Sequence, residues 1–170
     1  TFHLREGVKW SDGAPFTSAD VADWFDRFLN PPEGIRSRRS GPFTHINSVD
    51  TPDPLTVTFN MDYATASTIP NFAGGHVYIG PPKHVAEEAT RDDVMALKKD
   101  PENIVGTGPF LYDKYEEDIT FCSKKNPDHW REGKPYLDGM CHLFIKDSTT
   151  RFVALATGQL HMSMHGSRSL

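Results

Sequence analysis

At 170 residues, with 37% hydrophobic and 24% charged side chains, the chain has the balance of a folded protein of one domain or two small ones. A formal net charge of -5 argues against a nucleic-acid partner, because phosphate binding needs clustered Lys and Arg. No apolar run approaches the roughly 20 residues that cross a bilayer, and no signal pattern opens the chain.

The first segment reads strand, turn, helix. Phe2 and Leu4 alternate with polar neighbours, which predicts a strand over 1–5, and Val8 and Trp10 continue the alternation. Ser11-Asp12-Gly13-Ala14-Pro15 is a turn, since Asp bonds its own backbone and Gly accepts positive φ. Thr17, with Asp20 three residues on, starts a helix over 17–30. Val21, Trp24, Phe25, Phe28 and Leu29 share one helical face, and Pro31-Pro32 stops it. The strand-like opening has no Met and no lead-in, so further sequence upstream is expected.

Residues 31–54 read as irregular. A half-buried strand follows at 55–61, with Leu55, Val57, Phe59 and Met61 on one side and Thr56, Thr58 and Asn60 on the other. Short helices are expected at 83–89 and 92–99. From Asn103 the texture changes: Gly106-Thr107-Gly108-Pro109 turns the chain into strands near 110–115 and 119–124, a loop follows, and another strand lies at 140–145. Phe152, Val153, Leu155 and Ala156 form a short helix that Gly158 ends in a left-handed cap. The fold class is therefore α/β in the mixed α+β sense, divided into 1–104 and 105–170.

Each possible chemical site has a structural reading beside it. Gly106-Thr107-Gly108 lacks the third Gly of a dinucleotide fingerprint and the Gly-Lys-Ser/Thr of a P-loop, and reads as a turn. His161-Met162-Ser163-Met164-His165 alternates like a strand that would suit a soft metal, but nothing in the segment completes a ligand set. Asp92-Asp93 fits a helix's first turn, and Glu116-Glu117-Asp118 a solvated hairpin tip. Arg36, Arg38 and Arg39 are the one basic cluster and read as a solvated loop. No Gly-x-Ser-x-Gly elbow occurs. Catalytic residues, metal ligands and cofactors are accordingly set at none.

Cys122 and Cys141 either form one disulfide, in an oxidising compartment, or stand as two buried small hydrophobes. Two free thiols is the reading adopted. Pairing would need neighbouring strands, with Cα atoms about 4.4–6.8 Å apart.

The run from Phe2 to Val21, Phe2-His3-Leu4-Arg5-Glu6-Gly7-Val8-Lys9-Trp10-Ser11-Asp12-Gly13-Ala14-Pro15-Phe16-Thr17-Ser18-Ala19-Asp20-Val21, closely resembles the signature of family 5 solute-binding proteins, the oligopeptide, dipeptide and nickel receptors of ABC importers. Asp53-Pro54-Leu55-Thr56-Val57-Thr58-Phe59, Pro82-Lys83-His84-Val85, Gly106-Thr107-Gly108-Pro109-Phe110, Asn126-Pro127-Asp128-His129-Trp130 and Lys134-Pro135-Tyr136-Leu137-Asp138 follow in the family's order. Two departures stand out: His129 replaces the usual Tyr, and 156–161 lacks the two acids of the usual Gly-Glu-Ile/Val-Asp.

The resemblance implies a type II periplasmic-binding-protein fold, here a partial first lobe. Residues 1–104 would be its small subdomain and 105–170 an incomplete part of its ligand-side sheet. It implies capture of a small solute, a peptide above all, outside the cytoplasmic membrane, for an ABC permease, without catalysis. A lipid anchor upstream of residue 1 is one way such a receptor is held. Trp10 and Trp130 would be core aromatics, and Gly13, Gly106 and Gly108 turn formers. No matched motif anchors ligand, so ligand-binding residues stay unknown. The alternative from another class is a metal-dependent hydrolase using His and carboxylates.

Overall fold

The structure, a computed structural model, describes residues 1–31, 40–74, 79–80 and 104–163. The helices expected at 83–89 and 92–99, Asp92-Asp93 and the Arg36, Arg38, Arg39 cluster lie outside the described residues.

Among the described residues two three-stranded antiparallel sheets organise the fold, so the expected mixed α/β class holds. The first has strand order β1-β3-β2, with β1 (Phe2–His3), β2 (Ile46–Asp53) and β3 (Thr56–Met61). In β3 the expected alternation holds at Val57 and Phe59, which are buried, and at Asn60, which is exposed, but Met61, expected on the buried side, is exposed at the strand end. Helix α1 (Ser18–Leu29) packs its Val21–Phe25 face on this sheet. Thr17 donates its backbone N–H to the Asp20 carboxylate at 2.8 Å, half of a capping box. Ser18 then ties the helix start to the β2–β3 turn, through its N–H to Pro54 O (2.8 Å) and its hydroxyl to Asp53 O (2.6 Å). These bonds take up amides that a helix N-terminus otherwise leaves without partners.

The core here is aromatic. Phe25, Phe43, Val57, Val21, Ile46 and Phe59 form one buried cluster, with Phe25 and Phe59 edge to face at 4.8 Å. Trp24 is half-buried and fills the space over Gly80, where a Cβ would run into the indole. The side chain of Phe28, expected in the same face, lies outside the description.

Two elements of this half were read as irregular or passed over. Strand β2 holds only two apolar residues, Ile46 and Val49, so it shows no clean period. It forms because β3 offers it a partner, and as an outer strand it tolerates Pro52 and two register shifts. Helix α2 (Thr68–Phe72) is five residues long with Pro70 in its first turn, too short for a periodic signal. Its Phe72 packs against the core cluster.

The second sheet runs β4 (Phe110–Glu116), β5 (Thr120–Lys125) and β6 (Gly139–Leu143), with α3 (Ser148–Ala156) after it. Observed bounds differ from the expected ones by at most two residues, apart from α3, which starts four residues earlier because Asp147 caps it. Gly158 adopts the left-handed conformation (φ 77°) that ends the helix.

The expectation of two free thiols is wrong: Cys122 and Cys141 form a disulfide. They lie directly opposite each other in the antiparallel β5–β6 register. Direct opposition also brings their Cα atoms to 4.1 Å, closer than the window set for a bridge. Adjacency of β5 and β6 was the missing fact, and spacing alone does not carry it.

Candidate functional site

Four of the family-like motifs, those within 2–21, 106–110, 126–130 and 134–138, are linked by hydrogen bonds and a ring contact into one seam. Its first wall is the turn after Trp10. Gly13 has φ 91°, the Asp12 carboxylate accepts from Ala14 N–H at 2.9 Å, and Trp10 N–H reaches Ala14 O at 2.8 Å. Ser11 then exchanges two bonds with Gly106: its N–H donates to Gly106 O (3.0 Å), and Gly106 N–H donates to its hydroxyl (3.2 Å). Gly106 has no positive φ and open space at its Cβ position, so its role here is carried by its backbone groups.

Asn126 joins the next two motifs. It is buried, its amide donates to Gly108 O at 2.9 Å, its side-chain oxygen accepts from Asp128 N–H at 3.0 Å, and its own N–H reaches Pro109 O at 2.9 Å. One side chain thus satisfies backbone groups of two loops away from water. The third motif enters through Asp138, whose carbonyl accepts from Lys125 N–H at 2.6 Å.

Trp130 is where the expectation fails. It is 41% exposed, not a core aromatic. The Arg5 guanidinium lies 4.5 Å from its ring centroid, Arg131 lies at 5.8 Å, and His129 packs beside it at 5.1 Å. The ring serves as a cation–π platform that joins the N-terminal run to the 126–138 loop, and a platform needs an accessible face. Trp10 is buried as expected, against Phe16. Trp10 Nε1 and His129 Nδ1 are both buried without a hydrogen-bond partner.

The remaining candidates separate rather than gather. Glu116, Glu117 and Asp118 do sit at the β4–β5 hairpin tip: Asp118 has φ 58°, Ile119 N–H donates to Glu116 O at 3.1 Å, and Lys114 pairs with Glu116. That pairing holds the Lys114 ammonium above its ordinary pKa, mainly by the hydrogen bond it donates to the Glu116 carboxylate. His161 and Met162 are exposed at the end of the described residues, and Met164 and His165 lie beyond them. His45, which sequence reasoning passed over, is buried with Nε2 2.9 Å from the Thr68 hydroxyl and its ring on Tyr63. No group of three or more His, Cys, Asp or Glu side chains is placed to hold a metal among the described residues.

Two open hollows flank β2, of about 570 Å³ against Val49, Asp50, Thr51, Pro52 and Thr58, and about 510 Å³ between α1 and β2.

Comparison with known proteins supplies the assignment. The model for bacterial extracellular solute-binding proteins, family 5 middle, matches residues 1–168. The glutathione-binding protein GsiB of Salmonella paratyphi A is 29% identical over 163 residues, covering 94% of this chain and 29% of its own length. Di/tripeptide-binding protein 1 of Pseudomonas aeruginosa is 24% identical over 180 residues, covering 97% of this chain and 33% of its own. Among solved structures, AgaA of A. tumefaciens R10 with agropinic acid superposes with a TM-score of 0.79 at 30% identity, over 94% of this chain and 30% of AgaA. The chain therefore spans about a third of the length of these relatives, and its fold matches a portion of the type II periplasmic binding proteins. The match gives the hydrolase alternative no support. The chain belongs to the family 5 bacterial extracellular solute-binding proteins.

Proposed function

We propose that this chain is part of the receptor of an ABC importer, which captures a peptide or a similar small solute outside the cytoplasmic membrane and passes it to the membrane permease. The family match over residues 1–168 carries the reading. Two relatives named for di/tripeptides and for glutathione, itself a tripeptide, favour a peptide ligand. The Cys122–Cys141 disulfide fits an oxidising compartment. Among the described residues no helix is long and apolar enough to cross a membrane.

In this reading residues 1–104 are the small subdomain of the first lobe and 105–170 part of its ligand-side sheet. The receptor performs no chemistry: closure on ligand is driven by contacts that only the closed state makes with both sides of the cleft. The seam at Ser11, Gly106 and Asn126 is scaffold, holding the two sheets in one orientation so that such a cleft has a fixed wall.

Affinity of that kind comes from enclosing the ligand, so that its charged ends find partners as its surface leaves water. A single open face leaves those ends solvated. Losing half the contacts of a micromolar complex leaves roughly millimolar affinity or weaker, since each 1.4 kcal/mol is about tenfold. Isothermal titration of this chain against di- and tripeptides, glutathione and Ni²⁺ is expected to show no saturation in the micromolar range. Small molecules released from the protein purified in its native reading frame, identified by mass spectrometry, are expected to be peptides. Micromolar binding by the isolated monomer would place the site within these residues, and release of a non-peptide solute alone would overturn the peptide assignment.

A further inference from the structure

We propose that Cys141 is a thiol-exchange site, at which a low-molecular-weight thiol opens the Cys122–Cys141 bond and frees the β6–α3 end of the second sheet from β5. The two sulfurs differ in access. Cys122 is 9% exposed, in a strand whose Thr120 and Ser123 are also buried. Cys141 is exposed, in a strand all of whose residues are exposed and which is the outer member of the β4-β5-β6 order. A thiolate attacks whichever sulfur it can approach along the S–S axis, so access directs it to Cys141 Sγ.

The exchange balances without an outside oxidant. The incoming thiolate forms a new S–S bond with Cys141 Sγ, the Cys122–Cys141 bond breaks, and its electron pair leaves on Cys122 Sγ. The released thiolate takes up the proton that the entering thiol gave to solvent. Thr120 is placed to ease that departure, with its hydroxyl oxygen 3.6 Å from Cys122 Sγ. In the closed state the hydroxyl has a carbonyl acceptor across the ladder, His142 O on β6 at 3.2 Å. A hydroxyl has one proton to donate, so turning to the new thiolate gives up the bond to β6. Opening the disulfide and loosening the strand are thereby coupled through one side chain.

Among the described residues the other ties of this end outside the backbone ladder are slight: the Phe121 and His142 rings lie 6.2 Å apart, and the exposed Lys146 and Asp118 pair at 3.8 Å. The Ser123 hydroxyl reaches Met140 O at 3.3 Å. Ala154 is the one buried hydrophobic side chain of α3, while Phe152 is 72% exposed. The Cys122–Cys141 link is the covalent tie of β6, and of the α3 segment that follows it, to β5.

The test uses the native oxidised chain incubated with glutathione, quenched with N-ethylmaleimide, and mapped by peptide mass spectrometry, with hydrogen exchange read in parallel. The expected product carries glutathione on Cys141 and maleimide on Cys122, at least about tenfold over the reverse adduct, since access to the sulfur sets the rate. Amides of 139–156 then exchange faster while those of 56–61 keep their rates. Thr120→Val, which fills the same space without a proton to give, is expected to slow adduct formation several-fold. If Thr120 merely braced the sheet, the same variant would speed it. Glutathione on Cys122, adducts only in denaturant, unchanged exchange at 139–156, or an oxidised chain that takes up two maleimides without any reductant would each overturn the proposal.

Discussion

The two sheets have the same strand count and the same antiparallel pairing, yet different means hold them. In the first, Phe25, Phe43 and Val57 are almost wholly buried, and three elements bring rings to one cluster. In the second, the buried apolar residues among those described are Cys122, Pro135 and Ala154, while Tyr136, Leu137, Leu143, Phe144 and Phe152 stand in solvent. The first region carries its own hydrophobic core. The second is held by a ladder, a disulfide and satisfied polar groups such as Asn126, and it presents exposed apolar surface. An isolated chain with such a surface is prone to self-association.

The comparison breaks most sharply under paired truncations. Phe25→Ala removes the ring that touches Phe43, Phe59 and Phe72, and is expected to cost about 3–5 kcal/mol in chemical denaturation. Phe152→Ser removes a ring of equal size that is 72% exposed, and is expected to change unfolding by no more than about 0.5 kcal/mol. It should instead lower self-association, measured by light scattering. Equal losses from both variants would show that the second region has a core as well, and the contrast would fall.

Asn126→Ala tests the polar seam. It leaves Gly108 O and Asp128 N–H without their side-chain partner, beside the Gly106 that bonds Ser11, and is expected to cost about 1–3 kcal/mol. Hydrogen exchange near Gly106 and Asn126 should rise, with little change inside the Phe25 cluster. If the whole chain destabilises uniformly, the regions are one cooperative unit and the seam is part of its core.

How much of this was legible depended on whether the signal was local. Helix α1 was readable because Thr17, Asp20 and the Val21–Phe25 stripe are a start signal and a period within one segment. The β4–β5 hairpin was readable because acidic turn residues separate two alternating runs. Strand β2 was not, since its pairing with β3 supplies what its own sequence lacks. The disulfide and the exposure of Trp130 failed for the same reason: one needs the β5–β6 register, the other needs Arg5 brought from the far end of the chain. Family motifs could be recognised in order, but the joining of the 106–110 and 126–130 motifs through Asn126 became visible only in three dimensions.

The smallest effect lies in acid, and it separates the regions again. Asp147 accepts from the Thr150 hydroxyl (2.6 Å) and N–H (2.7 Å), and these bonds hold its carboxyl below the ordinary value of 3.8, the hydroxyl bond contributing most. Asp53 is lowered in the same way, first by the Thr56 side chain and then by Leu55 N–H, at the turn that Ser18 uses to anchor α1. Both carboxyls bind a proton more readily unfolded than folded. Their contribution is therefore complete above the unfolded value near 3.8 and is lost as pH falls through the lowered folded values. Below that range α3 should fray first, because its cap is supported by a single buried side chain, whereas α1 keeps its aromatic face. Asp147→Asn retains a capping oxygen that does not titrate there, so the acid fraying of α3 should vanish while the Asp53 step remains. Amide shifts of 148–156 and 18–29 followed by NMR between neutral pH and pH 2 would show the order, and simultaneous loss of both helices would contradict it.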